Sequence, residues 1–170
     1  MYTRYNVEST LELPYKLIDI NTGSEHFVFQ FNEFDDNQTD YSIRQGGLTG
    51  KFSIAYQSND IECNFGCDIT IGNVYEFYLA LDDAYDIKFG KNTVAVLKDY
   101  GGQNRTNLTF SFDKRGHCLI NGHFKNKNNQ YKSGVIFSLE IYQADITDIL
   151  NAMNTYFTEL IKIQGHRTFY

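Results

Sequence analysis

The stretch GVIFSLEIYQADITDILNAMNTYFTELI, residues 134–161, contains both of the periodicities on which the fold prediction rests. In its first part apolar residues recur at every second position, which is the period of a half-buried β-strand. In its second part they recur at steps of three and four, which is the period of an amphipathic helix. The strand positions are Val135, Phe137, Leu139 and Ile141, and the helix positions are Ile146, Ile149, Leu150, Met153, Phe157, Leu160 and Ile161. The pattern predicts a long C-terminal helix with Asp145 as its N-cap and Asp148 in its first turn.

Upstream of this stretch, alternating apolar residues predict a series of strands joined by polar turns. The predicted strands cover residues 7–13, 26–34, 48–56, 61–71, 93–100, 108–112, 117–124 and 134–142. Most connections are about two to six residues long, which favours antiparallel pairing. One helix is predicted in the middle of the chain, with Asn73 as its N-cap, Glu76 in the capping-box position and its end at Asp86.

These elements predict one α+β domain over residues 1–170, a mostly antiparallel meandering sheet with a mid-chain helix and the long C-terminal amphipathic helix packed on it. A chain of 170 residues can bury one substantial core, and no linker, internal repeat or low-complexity segment divides it. The 42% hydrophobic and 21% charged residues are typical of a globular protein. The 14 Phe and 13 Tyr favour a large share of sheet.

The net charge of −6 argues against a nucleic-acid binder, since phosphate contacts need clustered lysine and arginine. A basic partner is the better electrostatic match. The N-terminal residues MYTRYNVESTLELPYKL lack the features of a secretion signal, and no 18-residue apolar segment occurs. We therefore expect a cytoplasmic protein that does not span a membrane.

The three cysteines, Cys63, Cys67 and Cys118, form no CxxC pair, so neither a disulfide framework nor a zinc ribbon is predicted. The segment GHCLINGH, residues 116–123, brings two histidines and a thiol close together in sequence. On a strand, His117 and His123 would lie roughly 20 Å apart and Cys118 would face the other side. One zinc ion cannot collect these groups without a sharp bend, so no metal site is predicted.

Motifs for catalysis are missing from the sequence: it contains no HExxH, no GxSxG and no glycine-rich phosphate loop. Two arrangements stay open. One is a pair in space between Cys63 or Cys118 and a histidine, and the other is an acid–base pair such as Asp68 with Glu76. Neither lies in a recognisable motif, so we expect no enzyme and no cofactor.

The feature that suggests a function is a set of acidic residues accompanied by tyrosines. Charged residues in loops and at helix ends are often only solvated, but beside aromatic rings they compose a surface that can attract and dock a basic protein. The candidate partner-binding residues are Glu33, Asp35, Asp36, Asp40, Tyr41, Asp82, Asp83, Tyr85 and Asp86.

Four segments resemble a group of bacterial immunity-type proteins, with the WapI-like immunity family of polymorphic toxin systems as the most similar named group. They are GLTGKF at 47–52, ITIGNVYEFYLALDDAY at 69–85, NLTFSFDKRGHCLINGHF at 107–124 and FSLEIYQADITDIL at 137–150. The resemblance covers about residues 47–160. It implies a small cytosolic protein that binds and neutralises a cognate toxin domain. Many such toxins are nucleases with basic clefts, which an acidic surface would match.

A different class of function is a small enzyme or ligand-binding domain with a tyrosine-lined pocket between the sheet and the C-terminal helix. A self-assembling structural subunit is a third, and the sequence leaves the oligomeric state open. A filled core with an acidic, aromatic surface would favour the binding protein, whereas a deep pocket with converging titratable groups would favour the enzyme.

Overall fold

The computed structural model describes residues 11–34, 50–86, 93–99, 105–125 and 133–164, with side chains described as far as Leu160. Two antiparallel four-stranded sheets are present, each followed by a helix. Sheet 1 has the order β1-β2-β3-β4 and sheet 2 the order β5-β6-β7-β8. The elements are β1 Tyr15–Asn21, β2 His26–Phe34, β3 Gly50–Gln57, β4 Glu62–Cys67, α1 Ile71–Tyr85, β5 Val94–Lys98, β6 Thr106–Phe112, β7 Cys118–Lys125, β8 Gly134–Ile141 and α2 Gln143–Gln164. The predicted α+β class is confirmed, but the strands form two sheets rather than one.

Aromatic side chains join the two sheets face to face. The ring of Phe27 in β2 lies 4.8 Å from Phe137 in β8 and 5.9 Å from Phe124 in β7, centroid to centroid. Tyr56 in β3 stacks on Phe137 at 4.7 Å. Because one face of each sheet is apolar, the sheets bury those faces against each other.

Each helix packs on the sheet that the other half of the chain forms. α1 follows sheet 1 but packs mainly on β5 of sheet 2, and α2 follows sheet 2 but packs on β1 of sheet 1. The helices also contact each other. Strands and helices of both halves share one hydrophobic cluster. The order of four strands and a helix thus occurs twice, a repeat of topology that the residue identities do not reveal.

Strand β1 differs from its prediction. The alternation at 7–13 predicted a strand there, but 11–14 are not in a strand, 7–10 lie outside the described residues, and β1 begins at Tyr15. Leu17 and Ile18 are both fully buried because a register shift occurs between Lys16 and Ile18. This bulge breaks the period of two, and the sequence pattern therefore hid the strand.

Both predicted helix starts were wrong by a few residues. Thr70 is the N-cap of α1: its Oγ1 accepts a hydrogen bond from the Asn73 N–H at 3.1 Å, and Asn73 Oδ1 accepts one from the Thr70 N–H at 3.1 Å. In α2, Asp145 Oδ2 accepts a hydrogen bond from the Tyr142 N–H at 3.0 Å. Asn73 and Asp145 therefore bond back toward the cap instead of forming it, since the same side chains suit both positions of a capping box.

In the described part of the chain, no helix combines the length and the apolar character needed to cross a membrane.

Candidate functional site

Three exposed carboxylates lie at the C-terminal end of α1. Asp82 and Asp83 are in its last turn and Asp86 is its C-cap. No basic residue is present in that last turn, and no ion pair joins the three to a lysine or arginine of the described residues. A helix C-terminus carries partial negative charge, so carboxylates there are repelled by the helix dipole. These residues oppose the stability of α1.

Two tyrosines beside these carboxylates fasten α1 to α2. The Tyr85 ring lies 6.2 Å from the Phe112 ring, and its hydroxyl oxygen is 3.3 Å from Thr147 Oγ1. The Tyr78 ring stacks on Phe157 at 5.5 Å. Burial, and after it the nearby charge of Asp82, raises the pKa of Tyr78. Tyr85 is half-buried, so it supports the helix pair while part of its side chain stays exposed.

Asp148 was predicted in the first turn of α2, but it is the sixth residue of the helix, and the acidic residue of the first turn is Asp145. Asp148 is exposed and directly follows Thr147, which contacts Tyr85. Its position beside α1 depends on the packing of two helices far apart in sequence, which periodicity alone does not reveal. We call Asp82, Asp83, Tyr85, Asp86 and Asp148 the acidic helical face.

Glu33 lies apart from the carboxylates of the acidic helical face. It lies at the end of β2 opposite Lys51 of β3, on the side of sheet 1 that faces away from the buried aromatic residues. Its Oε1 is 2.5 Å from Lys51 Nζ in an exposed ion pair. The structure therefore does not bring Glu33 together with the carboxylates of α1. The predicted residues Asp35, Asp36, Asp40 and Tyr41 lie outside the described residues.

Two other exposed carboxylates, Asp19 and Asp113, have cationic or histidine neighbours. Asp19 accepts hydrogen bonds from Lys16 Nζ and from His26 Nε2, both at 2.6 Å. Partial burial raises the pKa of Asp19, but these two hydrogen bonds outweigh it and hold the pKa below its ordinary value. Asp113 lies 3.6 Å from His117 Nδ1. No ion pair among the described residues joins the carboxylates of the acidic helical face to a cation, and the exposed Glu62 and Glu140 have none either.

The segment from His117 to His123 does not bring its thiol and imidazole groups to one side of the sheet. Cys118 is fully buried, whereas His117 and His123 are partly exposed and lie on the other side of the sheet. The described residues contain no group of three His, Cys, Asp or Glu side chains that could hold a metal ion. Burial raises the pKa of Cys67 and of Cys118 to about 12, so both thiols are protonated near neutral pH and are poor nucleophiles.

Aromatic rings fill the space between sheet 1 and α2. The alternative function, a small enzyme or ligand-binding domain, would require a pocket in this place. Tyr156 of α2 is fully buried, and its ring lies 6.0 Å from Tyr15, 5.2 Å from Phe31 and 5.0 Å from Phe157. Its hydroxyl has no hydrogen-bond partner among the described residues, and burial raises the pKa of Tyr156 well above its ordinary value. This part of the interface is a packed core.

Tyr156→Phe is expected to raise the free energy of unfolding by about 1 kcal/mol, because it removes a buried hydroxyl that makes no hydrogen bond within the described part of the chain. Tyr15→Phe is the matched control, since the Tyr15 hydroxyl donates to Ala152 O at 3.0 Å and its removal should lower stability. Urea unfolding of both variants tests this. A clear loss of stability in Tyr156→Phe would show that its hydroxyl is bonded after all.

The fold belongs to the α+β class, with two antiparallel sheets and two helices, each packed on the sheet of the other half of the chain. Neither a protein-family model nor a curated protein matches the sequence. Among solved structures, the chain is similar to the plant transcriptional regulator PBF-2, with a TM-score of 0.46 and 11% identity over 89% of this chain and 84% of that chain.

Proposed function

We propose that the protein is an immunity-type protein that binds and neutralises a cognate bacterial toxin domain of basic character in the cytoplasm. The observation that carries the proposal is the position of Asp82, Asp83 and Asp86. Three exposed carboxylates stand at the unfavourable end of a helix with no cation of the described residues to offset them. Residues that lower stability in this way fit a role in binding, because function and stability commonly conflict at binding sites.

The acidic helical face would act first through long-range attraction. Clustered charges of one sign speed the encounter with an oppositely charged partner, and added salt weakens this effect because the screening length is about 8 Å at physiological ionic strength. A toxin that cleaves nucleic acid needs a basic cleft for phosphate groups. Carboxylates at the end of α1 would then occupy the place of the phosphates, with the Tyr85 ring providing apolar contact.

The packing of the core supports this proposal over the ligand-binding alternative. The rings around Tyr156 fill the region between sheet 1 and α2, and rings from both sheets meet between β2, β7 and β8. The titratable groups of the acidic helical face lie on the surface instead of converging on a cavity. An exposed acidic and aromatic surface above a filled core suits protein binding.

Replacing Asp82, Asp83 and Asp86 together with asparagine tests the proposal. The binding partner is the protein encoded by the reading frame next to this gene, because immunity proteins are normally encoded beside their toxins. We expect the association rate at low salt to fall by about tenfold or more and its salt dependence to flatten. Thermal stability should stay equal or rise, since the changes remove repulsion from the helix dipole.

The matched control removes three charges from sheet 1 and the connection between β3 and β4 through Glu33→Gln, Asp60→Asn and Glu62→Gln, all at exposed positions. Both triple variants have the same net charge, so stopped-flow association rates separate a local surface from overall charge. The proposal predicts a much smaller effect for the control. Unchanged association in the Asp82, Asp83 and Asp86 variant, or equal slowing in both, would contradict it.

A further inference from the structure

Strand β8 forms an edge of sheet 2. It pairs with β7 on one side, and no strand of the described residues pairs with its other side. The edge strands β5 and β1 are covered by α1 and α2, respectively. This leaves β8 and β4 as the two edges that no described helix covers. An uncovered edge offers unpaired main-chain groups to another strand.

The hydrogen bonds of sheet 2 show which groups of β8 face the open side. The Lys125 N–H donates to Arg105 O at 2.6 Å, so Lys125 and every second residue before it direct their main-chain groups toward β6. In an antiparallel ladder the residues between them bond to the next strand, here β8. Their partners are Val135, Phe137, Leu139 and Ile141. The remaining residues of β8 therefore direct N–H and C=O to the open edge, and they are Gly134, Ile136, Ser138 and Glu140.

The side chains of these four residues lie on the exposed face of sheet 2. The same four residues are exposed, and Ile136 is 80% exposed, the largest fraction among the exposed large hydrophobic residues in the described part of the chain. The strand contains no lysine and no proline, and its ladder with β7 runs without a register shift. Edge strands in natural proteins usually carry a lysine, a proline or a bulge that prevents pairing with another strand. By contrast, β4 has six residues and exposes Glu62, Asn64 and Gly66, so it is better protected.

We propose that β8 pairs antiparallel with β8 of a second copy of this chain, about a two-fold axis at Phe137. Only residues whose main-chain N–H and C=O groups point to the open edge can form hydrogen bonds across it. In β8 these are the even-numbered residues, so even-numbered residues of one copy pair with even-numbered residues of the other. One register joins all four: Gly134 with Glu140 of the second copy, and Ile136 with Ser138 of the second copy. The dimer would contain one continuous eight-stranded sheet. This pairing goes beyond the proposed toxin binding and involves a different part of the molecule.

Charge complementarity favours a second copy as the occupant. Lys125 lies opposite Gly134 in the β7–β8 ladder, and both it and Glu140 are exposed. In the proposed register three residues lie side by side on adjacent strands. They are Lys125 in β7, Gly134 in β8 and Glu140 in β8 of the second copy. Glycine has no side chain, so the ammonium and carboxylate can meet over it across roughly 10 Å of backbone spacing. The two-fold axis makes this ion pair twice.

Sedimentation equilibrium of the full chain over a concentration series tests the dimer without any toxin. We expect a monomer–dimer equilibrium that Ile136→Lys weakens at least tenfold, because a lysine on the edge opposes pairing. Asn64→Lys on the β4 edge is the matched control and should leave the equilibrium unchanged. A wild-type chain that stays monomeric at all concentrations, or a dimer indifferent to Ile136→Lys, would overturn the proposal. Circular dichroism should show both variants folded, since both positions are exposed.

A charge exchange tests the register. Lys125→Glu and Glu140→Lys should each weaken the dimer because each places like charges together, and the double variant should restore it. Restoration supports a two-fold pairing of these residues. If both single variants weaken the dimer and the double variant does not recover, the register is wrong.

Discussion

Phe27→Ala is expected to lower the free energy of unfolding by about 3–5 kcal/mol, the range for removing a large buried ring. Phe27 is fully buried in β2 and touches Phe124 and Phe137 of the other sheet. Its loss would leave a cavity where the two sheets meet, and sheets that pack through rings cannot close such a space without moving as a whole. Urea unfolding followed by circular dichroism gives the value.

Two comparisons make this result specific. Phe27→Leu keeps much of the buried volume and should cost clearly less than the alanine variant. Gln30→Ala, on the opposite face of the same strand, should have a small effect because Gln30 is only partly buried. If Phe27→Ala costs less than about 1 kcal/mol, the two sheets do not depend on this contact for their packing.

Gly122→Ala is expected to destabilise the protein by about 1–3 kcal/mol, because an added methyl group would overpack the core. A Cβ at Gly122 would lie 2.3 Å from the Cζ atom of Phe137. The ring of Phe137 cannot easily move aside, since Tyr56 stacks on it at 4.7 Å and Phe27 lies 4.8 Å away. Gly66→Ala is the matched control in sheet 1, where the nearest atom to an added Cβ is 3.9 Å away.

A double-mutant cycle identifies the cause of the Gly122 effect. Phe137→Leu opens space above Gly122, so Gly122→Ala should cost less in that background than in the wild type. Equal costs in both backgrounds would show that the Phe137 ring does not explain the requirement for glycine. The measurement is again the free energy of unfolding, compared among the four proteins of the cycle.

Much of the fold follows from periodicity, and the exceptions have physical reasons. Alternation located β8 and the steps of three and four located α2, because each element buries one face. The bulge near Leu17 hid β1. The division into two sheets arises because β4 and β5, on either side of α1 in the chain, do not pair with each other. No local sequence pattern indicates this. Thr70 was missed as a cap because Asn73 suits both positions of the capping box.

The candidate site was predictable only where its residues are neighbours in sequence. Asp82, Asp83 and Asp86 form a group because one helix end holds them. Glu33 is near other acidic residues in the chain, but the register shift between Phe31 and Glu33 turns it to the outer side of sheet 1 beside Lys51. Asp148 joins the α1 carboxylates through the contact between Tyr85 and Thr147, which lie 62 residues apart. Contacts of that kind require the tertiary structure.

Growth of a bacterial host that expresses the protein from the neighbouring reading frame, with and without this chain, tests the central claim most directly. Neutralisation predicts that the host stops growing when the neighbouring protein is made alone and grows when this chain is made with it. The Asp82, Asp83 and Asp86 triple variant should protect less well than the wild type at equal expression. Growth that does not depend on this chain, with both proteins present in the cell, would contradict the proposed function.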